Sequence, residues 1–422
     1  MKEMIKKIPK FAITYIVLTV IFLLGIVLSY LLPNNSIREH VKESLITFQS
    51  EGMGTYYGTA ASTLDPYTDA LMLNIAMNKG ENGDIQNAVE NSYYKDEQEG
   101  GTSSLIAATE ESTVNNSEYS RYWHGIQVVL RPLLMFFNYT EIRYILMLVI
   151  FVLLGIAFAM IGKQLGIKIA IAFAITITFM YVALIPASLQ YSSIFIVTLI
   201  SMIGVLLLYR INKEKHLSIA FFVIGALATY FDLLTYPLVT LGFPLILAVI
   251  IDNRRGKTIK EQMIFIIKMG VLWAIGYALL FVTKWLIASI ILGKNVVSTA
   301  LDQLLFRVNG NEKYPVTRMQ TLIGNFEYFY VPVAKSLLAF FSVIWAILLV
   351  LYRKKIKECK LIIPLICIAV TPYIWYLAFS GHSNIHSWFT NKIQAVSLFA
   401  LLCIYAETLD FKNKRRVIKW KK

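Results

Sequence analysis

The chain has 422 residues, of which 57% are hydrophobic and only 16% are charged. Because charged residues usually make up about a quarter of a soluble domain, this composition excludes a soluble globular protein and predicts an all-α polytopic membrane protein. The formal net charge of +14 does not indicate nucleic acid as a partner, since the lysines and arginines occur in short clusters between apolar runs, a pattern that orients membrane helices.

The N-terminal segment has the features of a retained signal anchor. Four lysines between residues 2 and 10 precede an apolar run over residues 11–32 that is long enough to cross a bilayer. No small-residue cleavage site follows this run, so we expect residues 1–32 to remain as the first membrane helix.

Nine further apolar runs of spanning length follow, which predicts about ten membrane helices in all. These runs are 142–162, 167–186, 193–209, 217–234, 236–251, 264–292, 331–352, 361–380 and 391–408. The short basic segments fall on the side of the N-terminal lysines, and they are 163–168, 210–216, 254–260, 353–360 and the tail 412–422. By the positive-inside rule this side is the cytoplasm. We therefore expect a plasma-membrane protein with both termini cytoplasmic and a nine-helix bundle over residues 142–411.

The expected outer segments are residues 33–141, 293–330 and 381–391. Within the first and largest, Ile37–Phe48 predicts an amphipathic helix, and residues 124–137 are apolar but too short to span, which is typical of a segment in the membrane interface. Residues 81–118 hold nine acids against one base, with many Asn, Ser and Gly. This composition predicts a mobile, solvated insert without a catalytic part.

Two carboxylates four residues apart, Asp65 and Asp69, lie in the first outer segment. Asp65 precedes Pro66, and an Asp-Pro pair predicts a helix with the aspartate as its N-cap and the proline as its first residue, so Asp69 falls in the first turn. At this spacing the two acids can share one face. One interpretation is that they only cap the helix and complement its dipole; the other is that one of them is a catalytic base, and a cap can serve as both.

Basic residues of the outer segments and outer helix ends offer the complementary charge. Arg and Lys hold phosphate by charge-assisted hydrogen bonds, and a lipid-linked phosphate or pyrophosphate lies at this depth of the membrane. The candidate phosphate-binding residues are Arg121, His124, Arg131, Lys284, Arg307, Arg318, His382, His386 and Lys392. The alternative for each of them alone is an interfacial side chain that extends to the lipid headgroups.

His382 and His386 also have an i, i+4 spacing that a metal ion can use. No nearby Asp, Glu or Cys completes such a site, and the three cysteines, Cys359, Cys367 and Cys403, have no metal-ligand spacing. The sequence therefore predicts no metal and no other cofactor.

The order of these features resembles the GT-C superfamily, membrane glycosyltransferases that use polyprenyl-phosphate-linked sugars. The similarity covers the signal anchor, the long first outer segment with an acidic pair between interfacial helices, the number of spans and the His-x-x-x-His-x-x-Phe-Thr stretch at 382–390. Its short motifs are Leu-Asp-Pro-Tyr-Thr-Asp-Ala-Leu-Met-Leu at 64–73 and Tyr-Trp-His-Gly at 122–125. Among these enzymes the chain is most similar to bacterial members that modify cell-envelope polymers.

The resemblance implies an inverting, metal-independent transfer of a sugar from a polyprenyl-phosphate-linked donor to an envelope glycan or a lipid-linked acceptor. The catalytic acid of the family corresponds to Asp65 or Asp69, although many relatives place an adjacent acidic pair soon after the first helix. One alternative is a flippase or transporter of lipid-linked saccharides, which would typically show charged or helix-breaking positions deep in several spans. Another is a ligase or polymerase of lipid-linked glycans, which tends to place its large loop late in the chain.

Overall fold

The chain folds almost entirely into helices. The computed structural model describes residues 8–52, 62–80, 82–96, 100–110, 116–330 and 360–408, with scattered positions from 336 to 347. The N-terminal elements are α1 (Ile8–Tyr30), α2 (Asn34–Glu51), α3 (Pro66–Met77), α4 (Asp84–Glu90), β1 (Ser92–Tyr93), α5 (Gly101–Ala108), β2 (Ser117–Glu118), α6 (Gln127–Leu134) and α7 (Tyr139–Leu165). They are followed by α8 (Ile167–Phe179), α9 (Leu189–Arg210), α10 (Leu217–Phe231), α11 (Leu238–Arg254), α12 (Ile259–Leu292), α13 (Val296–Asn309), α14 (Arg318–Phe329), α15 (Ile362–Ala378), α16 (Ser380–Ile385), α17 (Ser387–Thr390) and α18 (Ala395–Thr408). Short 3-10 turns occur at Val182–Ala187, Glu214–His216 and Asn391–Gln394.

Within the described residues, five helices are long and apolar enough to cross a membrane: α1, α7, α9, α12 and the continuous run Ser387–Thr408. A span needs about 20 apolar residues, whereas α8, α10, α11 and α15 have 13, 15, 17 and 17 residues. By length and composition these five helices could cross a membrane, but the expected count of ten spans and the loop layout built on it are not confirmed. The predicted span 331–352 lies largely outside the described residues.

The apolar run 167–186, predicted as one span, is not one helix. α8 ends at Phe179, Tyr181 has a φ of 55°, and a 3-10 turn containing Pro186 follows. Proline has no N–H to donate, and a positive φ interrupts the helical hydrogen bonds. Apolar composition alone therefore overestimated the length of this helix.

The buried core lies around α9 and α11. Every residue of α11 from Leu238 to Asp252 is buried. In contrast, α1, α7 and α12 expose apolar side chains along their length, for example Leu148 at 67% and Ile290 at 81% of the free side chain. Exposed apolar surface on this scale is typical of a face that contacts lipid.

α10 and α12 approach each other closely through two glycines. A Cβ on Gly225 would lie 2.0 Å from the Trp273 carbonyl oxygen, and one on Gly276 would lie 2.1 Å from the Phe222 carbonyl oxygen. Small residues at such crossings are what membrane helices use to gain van der Waals contact in the absence of a hydrophobic driving force.

The described residues of the predicted first outer segment, 33–141, pack against the long helices. The predicted amphipathic helix is confirmed in α2, which buries Ile37, Val41 and Phe48. The prediction of a mobile insert over residues 81–118 is wrong for the part that the structure describes, since α4 and α5 form, β1 pairs antiparallel with β2, and Leu105 is fully buried on the α3 side. Acidic composition hid a few apolar residues at helical spacing, which were enough to anchor these helices.

The two ends of α9 mark two ends of the molecule. At its C-terminal end, the Tyr209 hydroxyl donates to Asp252 at 3.0 Å, and the neighbouring Arg255 forms an ion pair with Glu214. This end collects the predicted basic segments 210–216 and 254–260. The N-terminal end of α9 begins at Leu189 and collects the candidate acids and cations.

Candidate functional site

Asp65 is the N-cap of α3, as its Asp-Pro sequence predicts. Its Oδ1 accepts the Thr68 N–H at 3.2 Å and its Oδ2 accepts the Thr68 hydroxyl at 2.8 Å, while Pro66 occupies the first helical position. An ionised carboxylate has about four acceptor positions. Among the described residues only Thr68 is seen to donate to Asp65, so this carboxylate retains acceptor capacity.

Asp69 is enclosed at the N-terminus of α9. Its carboxylate accepts the Tyr139 hydroxyl at 2.5 Å, the Leu189 N–H at 2.9 Å, the Gln190 N–H at 3.1 Å and the Ser188 hydroxyl at 3.2 Å. Four donors fill its acceptor positions, and the residue is 1% exposed. Asp69 therefore joins α3 to α7 and α9.

The two carboxyls differ in how far hydrogen bonds offset their burial. Burial raises the pKa of Asp65 to about 6, against the hydrogen bonds from Thr68 and with a further upward contribution from Asp69. Burial also raises the pKa of Asp69, but the Tyr139 hydroxyl, the Arg143 charge and the α9 backbone oppose it. A carboxyl with a pKa near 6 is ionised at neutral pH and accepts a proton more readily than an ordinary aspartate. Asp65 is the better candidate base of the two.

Arg307 on α13 meets the two histidines of the last outer segment. Its Nη1 lies 3.0 Å from His382 Nδ1 and 3.0 Å from His386 Nε2. Because Nη1 carries two hydrogens, it donates to both imidazoles, and both must present an unprotonated nitrogen. His382 then carries its proton on Nε2, which donates to the Leu234 carbonyl at 2.7 Å.

Both imidazoles are therefore neutral and leave the Arg307 charge uncompensated. Burial lowers the pKa of His386 to about 3, with a further decrease from Arg307, and burial lowers the pKa of His382 well below its usual range. Among the described residues no carboxylate forms an ion pair with Arg307. Arg307 Nε and His386 Nδ1 are buried without a hydrogen-bond partner in that same part of the chain. A guanidinium with spare donors and no counter-ion is suited to bind an anion.

Tyr122 brings the segment that holds Arg121 and His124 within interaction range of Arg307, and the His124 ring lies 6.3 Å from the Tyr122 ring. Burial raises the pKa of the Tyr122 hydroxyl to about 12, and the nearby Arg307 and Arg121 charges oppose that rise. Burial lowers the pKa of His124 to about 3, with Lys284 and Arg121 adding to the effect. We call Arg121, Tyr122, His124, Arg307, His382 and His386 the cation cluster. Three separate segments of the chain supply it.

Arg131 does not belong to the cation cluster, although it was predicted with it. Its Nε donates to the Ser29 carbonyl at 2.9 Å, its Nη1 to the Ala76 carbonyl, and its Nη2 to Asn34 Oδ1 at 3.3 Å. The guanidinium also lies 4.4 Å from the centre of the Tyr30 ring, and the residue is fully buried. Arg131 therefore holds α1, α2 and the C-terminal end of α3 together.

Three other predicted cations also lie outside the cluster. Lys284 is 1% exposed and donates its amino group to the Val89 carbonyl at 2.7 Å, at the C-terminal end of α4. Lys392 is 2% exposed and lies 4.8 Å from the centre of the Tyr191 ring. Arg318 is exposed at the start of α14.

The turn between α10 and α11, residues 232–237, links the acid end of α9 to the cation cluster. The Gln190 side chain in the first turn of α9 donates to the Thr235 hydroxyl at 2.9 Å, and the Leu234 carbonyl accepts His382. Leu234 has a φ of 66°, which a branched residue rarely adopts. Strained backbone of this kind concentrates at functional sites.

Gly381 sets how closely the histidine helix α16 approaches Arg307. A Cβ at this position would lie 2.4 Å from the Phe306 carbonyl oxygen and 2.7 Å from the Gly310 nitrogen. Sequence reasoning missed both Gly381 and Tyr122. The only signals available in the sequence were that Gly381 directly precedes His382 and that Tyr122 directly follows Arg121.

Among the described residues, no group of three or more His, Cys, Asp or Glu side chains could hold a metal ion. The arrangement places a guanidinium with unused donors, Arg307, and a buried carboxyl with unused acceptor capacity, Asp65, in one part of the described structure.

Comparison with models of known families, with functionally described proteins and with solved structures gives no match for this chain.

Proposed function

We propose that the protein is a membrane glycosyltransferase, which moves a sugar from a polyprenyl-phosphate-linked donor to an envelope glycan or a lipid-linked acceptor at the outer face of the plasma membrane. The observation that supports this most is Arg307, a guanidinium held by two neutral imidazoles with no carboxylate partner among the described residues. Because the cluster lies at one end of the long apolar helices, a phosphate carried by a membrane lipid is the anion best placed to reach it.

In the proposed reaction, Asp65 accepts the proton of an acceptor hydroxyl, and that oxygen forms a bond to the anomeric carbon of the sugar. The bond between this carbon and the phosphate oxygen breaks with its electron pair, leaving polyprenyl phosphate. The phosphate group thereby gains one negative charge. Arg307 and Arg121 stabilise that charge as it develops, which is the kind of interaction that lowers a barrier.

Asp69 and Asp65 provide a matched pair for testing the base. Asp65→Asn keeps the N-cap, since Asn caps a helix about as well as Asp, but removes the proton acceptor, so we expect transfer to fall roughly a hundred-fold with stability nearly unchanged. Asp69→Asn places an amide opposite four hydrogen-bond donors, so its effect should appear as lost stability. The measurement is transfer of labelled sugar from a synthetic polyprenyl-phosphate donor by purified protein in nanodiscs, with thermal unfolding recorded in parallel.

Arg307→Gln tests the anion site in the same assay, with the exposed Arg318→Gln as its control. We expect donor affinity to fall about ten-fold or more in Arg307→Gln, the loss of one or two charge-assisted hydrogen bonds, and to stay unchanged in Arg318→Gln. Near wild-type transfer by a stable Asp65→Asn protein would remove Asp65 from catalysis. If Asp69→Asn were then also active, a transporter of lipid-linked saccharides would become the better proposal.

A further inference from the structure

A separate concave site lies along the outer face of α3. Tyr67, Leu71 and Asn74 follow one another at helical spacing on this face. The first of them, Tyr67, lies two residues after the Asp65 cap. They form one wall of a cavity of about 270 Å³. The other walls come from β1, from the N-terminus of α5 and from the turn that follows α13.

Tyrosine rings dominate the walls of this cavity. Tyr67, Tyr93 and Tyr314 line it from three different segments, and Tyr67 and Tyr314 are 52% and 42% exposed. A tyrosine ring offers a flat apolar face and a polar hydroxyl at little cost in conformational entropy. Sugar rings present the same combination, an apolar face of C–H groups with hydroxyls around the edge.

The charged side chains that line the cavity are both lysines in the part of the chain that the structure describes. Lys95 and Lys313, both exposed, line it, and no carboxylate does so among the described residues. The N-terminus of α5 also lines the cavity, and Gly100 there provides no side-chain cap. Uncapped N–H groups at a helix start attract negative charge, and two lysines strengthen that preference.

Aromatic contacts connect this cavity with the cation cluster. The Tyr93 ring lies 6.5 Å from the Tyr119 ring, and the Arg121 guanidinium lies 5.4 Å from the centre of that same ring. On the other wall, Tyr314 lies 6.2 Å from the Phe306 ring, next to Arg307. One aromatic side chain, Tyr119 or Phe306, therefore separates the cavity wall from the arginines that we propose hold the donor phosphate.

We propose that this cavity, which we call the tyrosine cleft, binds the acceptor, and that the acceptor is an anionic oligosaccharide. Its sugar rings lie on Tyr67, Tyr93 and Tyr314, and its carboxylate or phosphate substituent lies between Lys95 and Lys313. This inference rests on the proposed function for the role of the ligand, but the binding itself is measured without a donor.

The experiment measures binding of fluorescent hexasaccharides to the full chain in nanodiscs. The probes are a hexasaccharide with alternating glucuronate residues, a phosphorylated maltohexaose, uncharged maltohexaose and inorganic phosphate. Tyr314→Ala and Lys313→Gln are the test variants. Tyr144→Ala and Lys260→Gln are their controls, because both of these residues are exposed and belong to other surfaces.

We expect at least one anionic hexasaccharide to bind about ten-fold more tightly than maltohexaose, and the tighter one identifies the charged substituent. Tyr314→Ala should weaken binding of charged and uncharged sugars about ten-fold, as loss of an aromatic contact does at binding sites. Lys313→Gln should weaken only the anionic ones. Inorganic phosphate should not displace them, and the two control variants should bind as the wild type does.

The proposal is overturned if the wild type binds no hexasaccharide, if maltohexaose binds as tightly as both anionic probes, or if both test variants bind as the wild type does. These binding results are distinct from failure of the proposed function, which is measured by sugar transfer. Absent transfer with intact, tyrosine-dependent binding would leave the cleft as a glycan site and remove the transferase. Sugar transfer by a protein whose glycan binding is unaffected by Tyr314→Ala and Lys313→Gln would keep the transferase and remove the tyrosine cleft as the glycan site.

Discussion

Arg131 and Arg307 both lie in predicted outer segments, and both were predicted to hold phosphate. They differ in how many of their hydrogen-bond donors already have a partner. Arg131 meets two carbonyl oxygens and an amide oxygen, whereas Arg307 meets two imidazole nitrogens and keeps a buried Nε without a partner among the described residues. Asp69 and Asp65 differ in the same way. A polar group whose hydrogen bonds are all made holds elements together, and one with unused hydrogen-bonding capacity is available for a ligand.

The largest expected effect that tests this comparison is on stability at Arg131. Arg131→Met leaves two buried carbonyl oxygens and the half-buried Asn34 amide oxygen without their donor. Each buried acceptor left unpaired costs about 1–3 kcal/mol, so we expect the free energy of unfolding to fall by roughly 3 kcal/mol or more. Arg318→Met, at an exposed position, should change it by less than about 0.5 kcal/mol. Denaturant unfolding of the two variants in detergent measures both. Equal stability of the two would mean that Arg131 is not the tie that its contacts indicate.

A smaller effect is expected on donor affinity when the distance between His382 and Arg307 is changed. Gly381→Ala forces α16 away from the α13 backbone, which should separate His382 from Arg307 and weaken donor affinity about ten-fold, with an overpacking cost of about 1–3 kcal/mol. Gly324→Ala in α14 is the matched control, because no atom lies within 4 Å of its added Cβ. That change should leave donor affinity unaltered and stabilise the helix by up to about 1 kcal/mol. Unchanged donor affinity in Gly381→Ala would show that the histidines do not position Arg307.

The smallest expected effect is on the pH dependence of transfer. With the pKa of Asp65 at about 6, the ionised fraction of the base should rise about ten-fold between pH 5 and 7, and the rate should follow it. Stability should change in the opposite direction. Because burial raises the pKa of the folded state above its unfolded value, folding favours the protonated form, so stability is lost as the pH rises from about 4 to 6.

Two variants show which carboxyl group causes the change of rate with pH. In Asp65→Asn the step in rate near pH 6 should disappear. Burial raises the pKa of Asp232 to about 7, so Asp232→Asn shows whether a second acid contributes. The three histidines of the cation cluster are neutral throughout this range, since burial lowers the pKa of His124, His382 and His386. A step that survives in Asp65→Asn and vanishes in Asp232→Asn would assign the base to Asp232.

The sequence allowed the helical class, the α3 cap and the membrane helices of full length to be predicted, because these depend on local patterns. Asp-Pro sets the start of α3, and the apolar length of α7, α9 and α12 exceeds that of a bilayer core. The shorter helices were misjudged where a local interruption such as Tyr181 ends them, since hydropathy carries no information on φ.

The candidate site could be predicted in residue types but not in grouping. No feature of the sequence favoured any of the nine candidate phosphate-binding residues over the others. The structure separates them by the hydrogen-bond partners that long-range packing brings to each. Arg131 finds Ser29 and Ala76, which lie about a hundred and about fifty residues away, and Lys284 finds Val89. Such partners belong to the tertiary fold. Gly381 shows the same limit, because the need for a glycine there arises only once α16 lies on α13.

The contact between Lys284 and Val89 has a consequence for how the protein is made. An unpaired lysine inside a membrane helix costs about 2.5–3.5 kcal/mol on insertion scales, and here the compensating carbonyl belongs to α4, which is synthesised almost two hundred residues earlier. We therefore expect α12 to reach its final position only once α4 has folded. Assembly of the protein should then follow the order of synthesis, because α12 is made later and packs against an element that is already in place.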